Sequence, residues 1–98
     1  MKREEKFMVQ ADLVESTTYA NMREQKEVLL NVTVCVDDEH RSGGWYEFYD
    51  EKTGGESWYA AGELEITNNT LVGYDGAFTL ADFIIEHLEN DMGLKIDL

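Results

Sequence analysis

Proline is absent from the sequence and cysteine occurs once, at Cys35. Without proline there is no rigid linker and no proline-rich ligand segment. A lone cysteine excludes an internal disulfide framework. Apolar runs are short, none near the roughly 18 residues a membrane-spanning helix needs. The opening Met1-Lys2-Arg3-Glu4-Glu5 is basic at first, but no apolar stretch follows, so a secretory signal is not expected. Basic residues are also scarce: eight stand against 21 acidic ones, for a formal net charge of −13. That balance argues against direct binding to nucleic acid or to an anionic membrane, both of which need a basic footprint. A cytoplasmic protein is the expectation.

What is present describes one folded domain, residues 1–98. Apolar and aromatic residues make up 43% of the chain, with two Trp, four Phe and five Tyr, which supports a core rather than disorder. The charge is uneven. Residues 1–26 hold five acids and five bases, whereas 27–98 hold 16 acids and only Arg41, Lys52 and Lys95. Glu outnumbers Asp, 13 to eight, which does not fit salt adaptation. Such asymmetry points to a directed electrostatic face; the plainer alternative is a solvated surface that keeps the protein soluble.

Val28, Leu30, Val32, Val34 and Val36 alternate with Leu29, Asn31, Thr33 and Cys35, a period of two that predicts a strand with one buried face. Trp45–Asp50 and Ser57–Thr67 predict two more strands, the second with Trp58, Ala60, Gly62, Leu64 and Ile66 on one side. Gly54-Gly55 and Asn68-Asn69 supply the turns around it. Leu71–Tyr74 is a short fourth strand, and alternation of Phe7, Val9, Ala11 and Leu13 suggests another over residues 6–14. Residues 16–26 suit either a short helix or an irregular connection. Thr79 is a candidate helix N-cap, Leu80, Phe83, Ile84, His87 and Leu88 recur at helical spacing, and Gly93 is a natural stop. Leu94, Ile96 and Leu98 alternate, as a final edge strand would. The expected fold is α+β: an antiparallel meander of four to five strands with one C-terminal amphipathic helix packed on one face.

Catalytic constellations are weak. The two histidines, His40 and His87, fall in an acidic loop and on the apolar side of the helix, and His87 reads as a packing residue. No G-x-S-x-G turn and no phosphate-binding glycine motif occurs. Cys35 reads as structural. With 21 acids some carboxylate pair would meet glycosidase spacing by chance, and a small meander offers little cleft. The Asp37-Asp38-Glu39-His40 cluster is rich in oxygen but lacks the calcium-loop pattern and the tight His/Cys spacing of zinc. No enzyme activity, cofactor or metal is expected.

The surface is the better lead. Glu63 and Glu65 share one strand face, roughly 7 Å apart at about 3.4 Å per residue, on the scale of phosphate spacing along a nucleic-acid strand. Glu47, Asp50 and Glu51 would extend the array from the neighbouring strand, with Asp37, Asp38 and Glu39 from the loop before it. Asp82, Glu86 and Glu89 make a second stripe on the helix. Trp45 and Tyr49 fall on the face of Glu47, and Tyr46 and Phe48 on the other. The helix can meet only one of these faces, so the aromatics are either exposed as binding anchors or closed over by the N-terminal segment in a second small core.

The reading these features support is a small non-enzymatic binding protein that turns an acidic face toward a basic protein surface. Its sharper form is a nucleic-acid mimic occupying the basic groove of a DNA- or RNA-binding protein. In size and acidity the chain resembles phage-carried inhibitors of bacterial restriction and CRISPR systems; the likeness is one of composition, with no motif. Alternatives are an accessory domain that docks or homodimerises through its aromatic sheet face, and a calcium-responsive domain using residues 37–40.

Overall fold

The computed structural model describes residues 2–16, 23–56, 58–75 and 80–98. Its strands are β1 (Lys2–Ser16), β2 (Arg23–Asp37), β3 (Gly43–Asp50), β4 (Tyr59–Thr67), β5 (Thr70–Asp75) and β6 (Lys95–Ile96), with helix α1 (Asp82–Glu86) running into a π-helical turn (His87–Asp91) before β6. They form one sheet in the order β1-β2-β3-β4-β5-β6. The first five strands are an antiparallel meander, and β6 pairs parallel to β5.

Six strands stand where four to five were expected, and the last breaks the antiparallel pattern. The cause is at the C-terminus. Asn68 and Asn69 adopt left-handed backbone, with φ 52° and 57°, closing a two-residue hairpin between β4 and β5. The carbonyl of Asn69 then accepts the Lys95 amide at 3.0 Å, and Leu71 accepts that of Asp97 at 2.9 Å. The chain returning from the helix completes the edge of β5.

The first two strands also exceed expectation. β1 begins at Lys2 rather than residue 6, and β2 begins at Arg23, so residues 23–26 are strand and not helix or irregular connection. Charged residues hide the alternation at 2–6. Arg3 and Glu5 occupy the half-buried side of β1 with Phe7, Val9 and Ala11, while Lys2, Glu4, Lys6, Met8 and Gln10 are exposed. β3 pairs with β2 only from Leu30 to Val36, so the far ends of β1 and β2 continue as a two-stranded arm along the molecule's 46 Å axis.

The core lies on the sheet side that carries the even-numbered residues of β2, β3 and β4. Leu30, Val32, Val34, Tyr46, Leu64 and Leu71 meet Leu80, Ile84, Leu88, Met92 and Leu94 from the C-terminal segment, all buried. The helix therefore packs on one face, as the pattern predicts, and Phe83 meets Phe48 edge to face at 5.3 Å. Its regular part is shorter than the periodicity suggests. After Glu86 the turn widens, and the Met92 amide donates to His87, five residues back, at 3.1 Å. Gly93 (φ 72°) then stops the helix. The expected cap Thr79 lies outside the described residues; at the described boundary Ala81 makes no side-chain cap, and Asp82 places a negative charge in the first turn.

Gly62 holds the middle of the sheet open for an aromatic ring. It stands opposite Tyr46 on the core face, and a Cβ there would meet the Tyr46 hydroxyl at 2.7 Å and collide with the carbonyl oxygen of Asp75. Tyr46 thus lies over the glycine, covering backbone that no side chain covers. Gly62→Ala is expected to destabilise the fold by about 1–3 kcal/mol through overpacking against backbone that cannot retreat. Urea denaturation monitored by tryptophan fluorescence checks this.

The candidate functional site is the open face of the sheet

Opposite the core, the odd-numbered residues of β3 and β4 face away from the helix. Strand register sorts that face into rows. Glu4, Cys35, Trp45, Glu63 and Asp75 stand side by side across all five meander strands. The next row toward the arm is Lys6, Thr33, Glu47 and Ala61, and the one after it Met8, Asn31, Tyr49 and Tyr59. No element among the described residues covers these rows, and the N-terminal segment is an edge strand rather than a lid. Among the described residues, that segment closes no second small core.

The rows divide the face into two chemistries. Around Trp45 the acids cluster: Glu63 and Asp75 are cross-strand neighbours, and Glu47 and Glu65 stand on either side of that row. Toward the arm the face is apolar. Met8 is 52% exposed, Leu29 41% and Tyr59 60%, against 0% for Leu30 and 1% for Val32 on the opposite face. Tyr59 leans back to donate its hydroxyl to Glu47 Oε2 at 3.3 Å, which joins the two regions.

The ten residues singled out from the sequence do not all serve this face. Trp45, Glu47, Tyr49, Glu63 and Glu65 lie on it. Glu63 does not carry a bare charge, because Arg41 donates to its Oε1 from Nε at 2.9 Å and from Nη2 at 2.6 Å. That pair pushes the guanidinium pKa up, and it sits at the solvent edge, where such pairs add little stability. Glu65 folds its carboxylate over Gly73, the residue opposite it, where a Cβ would come within 2.5 Å of Oε2. Glu51 accepts a hydrogen bond from the Asn31 side chain. Asp37 ends β2 and turns the loop, accepting the Glu39 amide at 3.0 Å, while Asp38 and Glu39 are exposed at the loop tip.

Asp50 is turned inward. It is 2% exposed and holds the β3–β4 turn together. One oxygen accepts the Thr53 amide at 2.8 Å and the Thr53 hydroxyl; the other accepts the amides of Gly55 at 3.2 Å and Trp58 at 3.0 Å. These donors favour the carboxylate and lower its pKa to about 2, with Thr53 the largest contributor. Register explains the difference: Asp50 is an even-numbered β3 residue, on the side of Tyr46 and Phe48.

Cys35 and Trp45 form the floor of the acidic region. They are cross-strand partners, and Cys35 has no exposed surface. Burial, above all, raises the thiol pKa.

On the helix side, His87 lies between two carboxylates. Nε2 is 2.8 Å from Glu5 Oε1 and Nδ1 is 2.8 Å from Asp91 Oδ2, and the ring stacks on Phe7 with centroids 4.2 Å apart. Both ring nitrogens are engaged, so His87 ties the helix to β1 and presents no free nitrogen to a substrate. A shallow cleft beside it, lined by Phe7, Val9, Phe83, His87 and Asn90, opens at the β1 edge. Among the described residues no group of three or more His, Cys, Asp or Glu is placed to hold a metal ion, the Asp37–His40 loop included. No described helix is long and apolar enough to cross a membrane.

Three members of the open face escape reading by residue type. Asp75 joins the array only through its pairing with Glu63, and Met8 and Leu29 become neighbours of Tyr49 and Tyr59 only through the β1–β2–β3 register. Tyr59 was within reach of the alternation, which places it with Glu63.

Comparison with protein-family models, with curated proteins and with solved structures finds no match to the chain.

Two measurements follow from these contacts. Asp50 has a folded-state pKa of about 2 against an ordinary 3.8, so it stabilises the fold fully above pH 4, and this contribution is lost as pH falls toward 2. Asp50→Asn is expected to melt several degrees lower at pH 7 and to lose less further stability between pH 4 and 2 than the parent does. Thermal melts by circular dichroism across that range read both effects. Trp45→Ala is expected to uncover Cys35, turning a thiol unreactive toward a colorimetric disulfide reagent into one that labels within minutes in the native state.

Proposed function

We propose that the chain is a non-enzymatic binding protein whose open sheet face engages a basic protein surface. The supporting observation is the uncovered face itself, with Glu47, Glu63, Glu65 and Asp75 in adjoining register positions around a partly exposed Trp45. Carboxylates held on a paired sheet lose little freedom on binding, so their field is preorganised. It would speed association with a basic partner and make binding sensitive to salt.

The sharper form of the proposal has that partner as a nucleic-acid-binding protein whose basic groove accepts the carboxylate rows in place of phosphates. Adjacent strands lie about 4.8 Å apart and alternate residues roughly 7 Å apart along a strand, so acids on β3, β4 and β5 present charge at intervals a phosphate-binding groove can read. The anti-restriction and anti-CRISPR type of inhibitor belongs to this form. A second reading has its own observation. Met8, Leu29 and Tyr59 are exposed beside the acids, which favours a partner with an apolar patch next to its basic one and gives the accessory-docking reading the same face.

Capture on the immobilised protein from a nuclease-treated bacterial lysate, eluted by a salt gradient, tests the proposal. Release of nucleic-acid-binding proteins at moderate salt is the expected result. With a captured partner, Glu47→Gln/Glu65→Gln should weaken binding about tenfold or more and flatten its salt dependence. Unchanged affinity and slope would remove these acids from the interface. Loss with Tyr59→Ala alone would move the contact to the apolar region.

A further inference from the structure

β1 is a 15-residue edge strand with none of the usual protections in its centre. Edges are ordinarily blunted by shortness, proline, bulges or charge. The opposite edge obeys the rule, because β6 has two residues. β1 pairs with β2 without a register shift along its whole length, and its middle stretch, Phe7-Met8-Val9-Gln10-Ala11, carries no charge and no proline. Among the described residues no strand pairs with its other side, which presents a long row of backbone donors and acceptors.

The charges flanking that stretch are arranged for a particular partner. We propose that β1 pairs antiparallel with β1 of a second copy, centred on Val9, to make a dimer with one continuous sheet. In that register Val9 faces Val9, Phe7 faces Ala11 and Lys6 faces Asp12. It is also the register in which Lys2–Ser16 overlaps itself completely. Sliding the pairing to a centre on Met8 sets Glu4 against Asp12, and sliding it to Gln10 sets Glu5 against Glu15. Like charges directly opposite oppose pairing, so both neighbouring registers are penalised and the central one is favoured.

Two features within one chain fit this arrangement. Asp12 stands opposite Glu27, a like-charge pair across β1 and β2. The second copy brings Lys6 to the other side of Asp12, where it offsets the repulsion. The charge distribution fits as well. A chain of net charge −13 resists approach by a copy of itself almost everywhere, but residues 1–26 contain five acids and five bases, and the edge lies in that neutral segment. The two-fold axis stands perpendicular to the sheet, so Phe7, Val9 and Ala11 of both copies share the core side, and the two open faces point the same way.

Sedimentation of the intact protein is expected to give twice the 11.2 kDa chain mass at micromolar concentration. Lys6→Asp puts like charges opposite each other twice per dimer and should weaken association about tenfold or more. Adding Asp12→Lys to that variant should restore the dimer, which a folding defect would not allow; far-ultraviolet circular dichroism verifies that all variants keep the sheet. A Val9→Cys variant should form a covalent dimer on oxidation. A monomer at hundreds of micromolar would overturn the proposal. So would a dimer indifferent to Lys6→Asp, or one lost with Tyr59→Ala but kept with Lys6→Asp, which would place the contact on the open face.

Discussion

One short helix can cover one face of one sheet, and the side chains of this protein are distributed around that limit. Leu30, Val32 and Val34 alternate with Leu29, Asn31 and Thr33 so that every second residue meets Ile84, Leu88 or Met92. Apolar burial of this kind contributes about 25 cal/mol per Å², and little other apolar area is available to a chain this small. A one-residue slip in any strand would exchange the two faces. The turns that prevent it, at Asn68-Asn69 and around Asp50, are as much a part of the core as the leucines. The inward rotation of Asp50 follows the same logic. It spends a carboxylate on fixing the register of β3 against β4, because all its acceptor positions are filled by the turn.

The face that the helix leaves uncovered has to remain soluble without becoming featureless. Its acids are not interchangeable. Glu63 is paired with Arg41 and Glu51 with Asn31, so these two are held in definite places. Surface pairs contribute little to stability; their consequence here is order. A fixed carboxylate costs less conformational entropy when a partner arrives than a free one does. The same holds for Trp45, which is anchored on Cys35 and stays presented at the centre of the acidic rows. Positioned acids around a positioned aromatic suit recognition better than they suit solubility, which scattered charge would serve equally well.

The two faces of the central strands are legible in the sequence, because residues 28–36 alternate with an apolar half of Val and Leu, and Trp58, Ala60, Gly62, Leu64 and Ile66 share one side of the next long strand. What alternation cannot show is pairing. Asp75 becomes a neighbour of Glu63, and Met8 of Tyr49, through hydrogen bonding between strands distant in sequence. Strand ends are equally hidden: Lys2–Lys6 reads as a charged tail until β2 supplies its partner, and β6 is a strand only because the β4–β5 hairpin offers an edge. Asp50 was placed with the surface acids because its type says surface, while its even position says interior. The parity was the better guide. For His87, helical spacing indicates packing, and the structure adds two carboxylate partners: Asp91 four residues on, and Glu5, which only the contact of the helix with β1 brings in.

Edge and face are coupled by geometry. A sheet extended across β1 by a two-fold axis perpendicular to it carries both helices on one side and both acidic faces on the other. A partner that met one face would find the second at a fixed spacing, and binding to one would raise the effective concentration at the other. Such a dimer concentrates negative charge, and the repulsion this creates has to be met locally. The base supplied for it is Lys6, in the one quarter of the chain where positive and negative residues balance. Salt should then act in opposite senses on the two interactions. It screens the general repulsion between acidic chains, which favours association through the edge, and it weakens the attraction of the open face for a basic partner. On the two proposals taken together, the neutral first quarter of the chain would meet a copy of itself and the acidic remainder a basic partner.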